Sequence, residues 1–570
     1  MARILRRRKI LMLLFLALMA VGLWTYIRRG PHVSPGSVLL VTLSGSYPES
    51  PPEGLWAKVF APRETTLPEL VLTLRRATVD PRIRAIVARF TELDVGWAKA
   101  NEIRDLLAAA RRKGKTTIAL LEADLGNANL PYYIATACER VYVAPGAHVA
   151  LRGLVARYFF LGGLWEKLHI EMDVEKIAEY KTAGDTLAGK EMSAAHREMA
   201  NSLLDSVEEL YLGTVAMARG VGAEEIRAVI HDVGPSGAAQ LLQAGLVDGA
   251  KYLEDLWSEL GVERDLIVTS ETYARVAARA LGLETGPRVA VILVSGTIAS
   301  GESQGSGAGS IAGADTIRAA LDEASRNREI RAIILRVDSP GGSALAADMI
   351  WRAVREARRR KPVIAAFSDV AASGGYYIAS GSTKIVAQPG TLTGSIGVVF
   401  ARPMIRGLLA NWGITIETLA RGRLATLDDV TSPLDDETRD RLRKEVQATY
   451  ELFLQRVSEG RGLAKEQVHD VGRGRVWTGS QAKERGLVDT LGGFYTAVEL
   501  AKQEAGIPAE EDPELIFLPP PRPWWEALAE SAMPIRVRSV PAVLYRLFAA
   551  VPGAFEPGPE AIMAEQVWVR

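Results

Sequence analysis

The chain has 570 residues, with 68 lysines and arginines against 68 aspartates and glutamates. That length holds about two to four domains, and the even charge balance leaves no basic footprint for nucleic acid. A single cysteine, Cys138, excludes an internal disulfide and any multi-cysteine metal site, and the six histidines show no metal-ligand spacing.

The first element is an uncharged run from Ile10 to Ile27. Its length reaches the lower end of what spans a bilayer. Arg3, Arg6, Arg7, Arg8 and Lys9 precede it, and only Arg28 and Arg29 follow closely. The positive-inside rule therefore puts the N-terminus in the cytoplasm and the remaining chain outside it. Trp24 and Tyr26 suit interfacial anchoring, and no clear Ala-x-Ala site closes the run. An uncleaved transmembrane signal anchor is expected within residues 1–36, with a cleaved signal peptide as the alternative.

From residue 37 the chain repeats itself. Arg84-Ala-Ile-Val-Ala-Arg-Phe90 returns as Arg331-Ala-Ile-Ile-Leu-Arg-Val337. Tyr132-Tyr-Ile-Ala135 returns as Tyr376-Tyr-Ile-Ala379, and Gly245-Leu-Val-Asp248 as Gly486-Leu-Val-Asp489. The order is kept while the offset drifts from 247 to 244 to 241 positions, as duplication followed by small deletions would give. A period of this size is a whole domain and not a solenoid unit. Two domains are expected, 37–285 and 286–510, joined at the turn residues near Thr285-Gly286-Pro287.

Each repeat alternates short β-branched runs with helical spacing. In the second, Val289–Val294, Ile330–Val337, Val363–Phe367 and Ile385–Ala387 read as strands. Leu345, Met349, Ile350, Val354 and Ala357 mark the inner face of a helix, and Arg358-Arg-Arg-Lys361 its solvated end. This alternation predicts an α/β fold with largely parallel strands. The Gly- and Ser-rich stretch Ala299–Gly313 reads as a mobile loop. Residues 511–570 read as a Pro-rich linker, Pro519–Pro523, followed by a tail in which Val540–Val551 has the pattern of an amphipathic helix.

The chemistry centres on Asp369-Val-Ala-Ala-Ser-Gly-Gly-Tyr-Tyr377, where a serine and two glycines stand between a strand and a helix. Ser373 is either a helix cap or a nucleophile beside a helix N-terminus. The aligned position in the first repeat is Asn129, followed by Leu130 and Pro131. The turn Asp338-Ser-Pro-Gly-Gly342 also lacks a counterpart, near Thr91–Gly96. Turns serving only the fold would tolerate the same residues in both copies. A serine nucleophile needs a base and an oxyanion hole. The amides of Gly341-Gly342 and of Gly374 are candidates for the hole. Lys181 is a candidate base, since the matching stretch Arg421–Ala425 has no lysine, although taken by itself Lys181 reads as a surface residue before it reads as a base.

Four motifs together resemble the long, duplicated form of signal peptide peptidase A, a Ser/Lys protease of the ClpP/crotonase superfamily, peptidase family S49. They are Asp338–Gly342, Ala372-Ser-Gly-Gly-Tyr-Tyr377, Thr391-Leu-Thr-Gly-Ser-Ile-Gly397 and Tyr180-Lys-Thr-Ala183. The likeness spans roughly residues 37 to 505. It implies tandem ClpP/crotonase-like domains behind the N-terminal transmembrane helix. It implies Ser373 as nucleophile, Lys181 as general base, Gly342 and Gly374 as oxyanion hole, and Ser395 and Gly341 in support. The family usually has Lys-Ser-Ala where this chain has Lys181-Thr-Ala183, a change that keeps the hydroxyl. A lysine in water has a pKa of about 10.4, so a lysine base must be desolvated. The resemblance further implies cleavage of residual signal peptides, that is apolar peptides, with no cofactor and no metal. It implies a homo-oligomer, a tetramer, on the bacterial cytoplasmic membrane with the body on the periplasmic side and residues 10–27 in the lipid. Three rival readings remain: a protease of the same superfamily acting on other membrane-protein segments, a non-catalytic membrane scaffold, and an acyl-CoA enzyme.

Overall fold

The computed structural model describes residues 31–51, 64–122, 128–231, 237–305, 309–422, 424–520 and 568–569. The expected anchor over 10–27 and the expected helix over 540–551 lie outside them. Among the described residues no helix is long and apolar enough to cross a membrane.

Each repeat builds one sheet. In the first, six strands lie in the order Gly249–Ala250, Arg140–Val143, Thr116–Leu121, Ile83–Leu93, Ser37–Gly45 and Ile267–Thr269, all parallel. In the second, the order is Val476–Thr478, Leu392–Gly394, Val363–Ala372, Ile330–Ser339, Gly286–Ser295 and Pro513–Leu518. Only the pair 392–394 with 476–478 is antiparallel in that series. Lys384–Ala387 pairs the lower half of Val363–Ala372, and Leu392–Gly394 pairs its upper half. The strands are apolar without alternation because both faces are covered. In the second sheet Val289, Val291 and Ile334 face a core shared with the first repeat. Ala290, Ile292, Ile333 and Leu335 face the repeat's own helices, Ala314–Arg326 and Ala344–Arg358.

The motifs that recur do structural work in both copies. Tyr132 Oη donates to the Leu246 carbonyl at 2.6 Å, and Tyr376 Oη donates to the Leu487 carbonyl at 3.0 Å. Asp248 accepts from the Val141 N–H at 2.7 Å, and Asp489 from the Ile385 N–H at 2.7 Å. Buried hydroxyls and strand-end amides need such partners. Two long helices, Ala194–Arg219 and Asp436–Arg461, end alike on left-handed glycines, Gly220 at φ 67° and Gly462 at φ 68°.

Four expectations are corrected. The second sheet does not end by residue 510, since Pro513–Leu518 pairs in parallel with Gly286–Ser295, as Ile267–Thr269 pairs with Ser37–Gly45. Strand 363–367 runs on to Ala372, because Leu392–Gly394 supplies a second partner. Residues 299–313 are ordered at both ends, where Thr297–Ala299 and Ile311–Gly313 pair in parallel. Leu345 is 58% exposed: the inner face of its helix runs through Ala346, Ala347, Ile350, Trp351 and Val354, one position out of phase with it. Within the basic run, Arg358 and Lys361 bind neighbouring carbonyls, those of Ser382 and Ala324.

The repeats are joined by more than the shared core. Glu171–Lys176 of the first pairs antiparallel with Val399–Met404 of the second. Arg336 of the second repeat lies fully buried between Glu49 and Glu102 of the first, at 2.9 and 2.8 Å.

Candidate active site

Strand Val363–Ala372 delivers Ser373 to its end, and helix Gly374–Ser380 starts directly after it. Ser373 holds φ 55° and ψ −116°, a conformation that costs a non-glycine residue on the order of 1–3 kcal/mol. It stands at the N-cap position, yet its side chain makes no capping bond. That removes the cap reading. The hydroxyl instead accepts from Lys181 Nζ at 3.1 Å.

Lys181 is not a surface residue. It is fully buried, as are Ser373 and Ser395. Its Nζ also donates to Ser395 Oγ at 2.7 Å and to the Ser395 carbonyl at 3.3 Å. Ser395 is a second serine at positive φ, 49°, with its N–H on the Arg475 carbonyl at 2.7 Å. The strand–turn geometry at Gly394–Ser395 thus aims a hydroxyl back at the amine. The Ser373 N–H donates to the Gly394 carbonyl, locking the two serines together.

The turn after strand Ile330–Ser339 lies against the start of helix Gly374–Ser380. A Cβ on Gly374 would sit 3.3 Å from the Gly342 nitrogen, so the two amides adjoin. Neither amide donates a hydrogen bond among the described residues. Gly342, at φ 150°, has no room for a side chain, since a Cβ would lie 2.0 Å from the Ile298 carbonyl oxygen. Gly341 serves differently. Its N–H donates to Ser339 Oγ and its carbonyl accepts from the Ile298 N–H, so it shapes the turn. The arrangement offers a hydroxyl, a buried amine and two convergent N–H donors, which are the parts of a covalent acyl-transfer site.

The comparisons decide the family. The model of "Peptidase family S49" matches residues 109–266 and 355–508. The chain belongs to peptidase family S49. It is 35% identical over 499 residues to the chloroplastic serine protease SPPA of Arabidopsis thaliana, covering 86% of this chain and 72% of that one. It is 30% identical over 522 residues to Protease 4 of Salmonella typhi, covering 87% of this chain and 83% of that one. A putative signal peptide peptidase SppA of Enterococcus faecium is 35% identical over 129 residues, 23% of this chain and 38% of that one.

In this S49 peptidase, every site residue named from the sequence lies within one cluster: Ser373, Lys181, Gly342, Gly374, Ser395 and Gly341. Other parts of the site escaped sequence reading. Residues 472–476 of the second repeat form the cradle of the lysine. Arg473 O accepts from the Tyr180 N–H at 3.1 Å, and Gly474 presses on the Lys181 backbone. The Arg475 guanidinium stacks between Tyr180 and Trp477, 4.8 and 4.4 Å from their centroids, while it pairs with Glu198. Cation–π contacts of this kind are worth about 0.5–2 kcal/mol each. Nothing in the local sequence sets Gly474 apart. Lys99, which reaches Asp338 and Asp369, stands out in the sequence only as one of the few lysines in a chain where most basic residues are arginine.

Proposed function

We propose that this S49 peptidase is a membrane-anchored serine endopeptidase that uses a Ser373–Lys181 dyad to degrade apolar, signal-peptide-like segments after their release from precursor proteins. The observation that carries the reading is the contact of Lys181 Nζ with Ser373 Oγ across the two repeats, with both residues buried. Burial disfavours an ammonium and so favours the neutral amine, the form that can take a proton.

In the proposed mechanism, Ser373 Oγ attacks the scissile carbonyl carbon while its proton passes to Lys181 Nζ. The oxyanion takes the Gly342 and Gly374 N–H groups. Collapse breaks the C–N bond, and the lysine proton goes to the leaving amine. Water then attacks the acyl-enzyme, Lys181 takes its proton, and the acid product departs as Ser373 recovers its hydrogen. Ser395 orients the amine throughout.

The substrate class and location rest on other support. The uncharged run 10–27 behind five basic residues suits a single-pass anchor in a bacterial inner membrane, with the body on the extracytoplasmic side. One relative bears the name of a putative signal peptide peptidase. The motif resemblance adds assembly as a homo-oligomer, a tetramer.

The test uses the full chain in detergent micelles with a leucine- and alanine-rich peptide and a charged control peptide. Wild type is expected to cut the apolar peptide preferentially. Ser373→Ala and Lys181→Ala, folded by circular dichroism, are expected to lose about a thousandfold or more in kcat. Near-full activity in Lys181→Ala would show that another base is at work. Equal cleavage of the charged peptide would remove the substrate assignment while leaving the dyad.

A further inference from the structure

Two carboxylates stand at matching places ahead of the two turns of the site. Asp338 precedes Gly342 by four residues, and Asp369 precedes Ser373 by four. Between them the sheet ladder is irregular. Val337 pairs with Phe367, and the next pair is Ser339 with Ala371. One residue, Asp338, therefore faces three, Ser368 to Val370. Such a bulge bends the strand that carries it and leaves a backbone group without its ladder partner. Here the Val370 N–H is satisfied by Asp338 Oδ1 at 3.2 Å.

Asp369 points out of the bulge into the first repeat. Its carboxylate accepts from the N–H groups of Gly96, Ala98 and Lys99, at 3.1, 3.1 and 3.0 Å, at the start of helix Trp97–Arg112. A Cβ on Gly96 would lie 2.4 Å from that carboxylate, so the helix can dock this closely only through glycine. The Lys99 side chain then turns inward. Its Nζ lies 2.8 Å from Asp338 Oδ2 and 3.7 Å from Asp369 Oδ2, with only 11% of the side chain exposed.

We propose that Lys99, supplied by the first repeat, is a positioning residue for the reaction: by bridging Asp338 and Asp369 it holds the bulge that sets the Gly342 amide against Ser373 and Gly374. The proposal rests on the reading of Ser373 as nucleophile. Without the ammonium, two partly buried carboxylates, 17% and 20% exposed, face each other. They must then separate or share a proton. Separation pulls apart the two strands whose ends carry the oxyanion donors and the nucleophile. A misplacement of about 1 Å in such a site costs about a hundredfold.

The charges around Lys99 come from two strands of the second sheet, the loop at residue 49 and its own helix. Asp338 and Asp369 face it from the second sheet and Glu49 from the first repeat, while Arg336 and Glu102 lie behind Glu49. Burial alone would lower the lysine pKa, but Asp338, Asp369 and Glu49 together raise it above the ordinary range. Lys99 is thus a cation throughout the working range, unlike the role proposed for Lys181. Burial pushes the Asp369 carboxyl upward, and Lys99 pulls it back.

The experiment measures kcat and KM of the full chain on the apolar peptide between about pH 6 and pH 9. It compares wild type, Lys99→Met, Lys99→Arg, and Lys99→Met combined with Asp338→Asn, with Ser373→Ala alongside. Lys99→Met is expected to lose about 10- to 100-fold in kcat, with KM within about threefold of wild type. The loss is expected to shrink toward acid pH, where a proton shared by the carboxylates replaces the ammonium. Lys99→Arg and the double variant are expected to recover most of the rate, the latter because an amide at position 338 can donate to Asp369. A Lys99→Met protein within about twofold of wild-type kcat overturns the proposal, as does a loss that is equal at every pH and unrelieved in the double variant. If Lys99→Met does not fold, the double variant decides: folded and active supports the bridge, folded and inactive overturns it. Activity surviving in Ser373→Ala would instead overturn the dyad reading.

Discussion

Gly474→Ala tests whether the second repeat holds the general base in place. Gly474 sits at φ 78°, and a Cβ there would lie 2.5 Å from the Lys181 nitrogen and 2.7 Å from its Cα and Cβ. Ordinary contact begins near 3.4 Å. The Lys181 backbone must therefore retreat by about 0.9 Å, or the 472–476 segment must move by as much. The hydrogen bond from Lys181 Nζ to Ser373 is 3.1 Å long and cannot stretch that far and survive. A displacement near 1 Å predicts a fall in kcat of about a hundredfold. The substitution also forces alanine into a left-handed conformation, at about 1–2 kcal/mol. Gly462→Ala separates the two effects. Gly462 has a similar φ, 68°, and open space around the Cβ position. Gly462→Ala is expected to lose only the backbone cost in chemical denaturation and Gly474→Ala about 1–3 kcal/mol more for its clash, while only Gly474→Ala loses rate. A Gly474→Ala protein with kcat within about threefold of Gly462→Ala would refute the view that this cradle sets the lysine's position.

Two further outcomes follow from buried charge and a buried ring. Arg336→Met removes the cation between Glu49 and Glu102 and leaves two buried carboxylates, so unfolding free energy measured in urea is expected to drop by about 3–5 kcal/mol; a drop below about 1 kcal/mol would mean that the carboxylates find other partners. His196 is fully buried against Tyr158 and Phe160, neither ring nitrogen has a partner among the described residues, and burial lowers its pKa below the usual value near 6.5. Folding therefore favours the neutral ring: its contribution is intact above about pH 6.5 and is lost as pH falls toward the folded value. Thermal unfolding of wild type is expected to drop relative to His196→Phe on acidification from about pH 7.5 to about pH 5.5, and a gap that stays constant with pH would contradict this.

Much of the fold is written in local patterns. The apolar β-branched runs of both repeats form parallel strands because parallel sheets are covered on both faces, and a buried strand needs no alternation. Tyr132-Tyr133 and Tyr376-Tyr377 recur because each repeat must satisfy the same buried carbonyl, that of Leu246 or Leu487. Where reading failed, a partner distant in the chain had intervened. Leu345 has the residue type of a core position, but the helix presents Ala346 and Ile350 to the sheet. Strand 363–372 is longer than its apolar run because a second strand pairs its upper half.

The candidate site divides the same way. The sequence by itself marked the turns at Asp338–Gly342 and Asp369–Tyr377 by their glycines, and the positive φ of Gly341, 108°, is a local requirement for that residue. It also determined that only the second repeat keeps them. It singled out Lys181 by its absence from the matching stretch, without saying where that lysine goes. Tertiary structure decided the rest. It carried Lys181 across 192 positions of chain to Ser373, closed residues 472–476 around it, and drove Lys99 between Asp338 and Asp369. The physical reason is that turn conformation depends on a residue and its neighbours. The charge and aim of a buried amine depend instead on which distant groups exclude water from it, and only the packed fold brings those together.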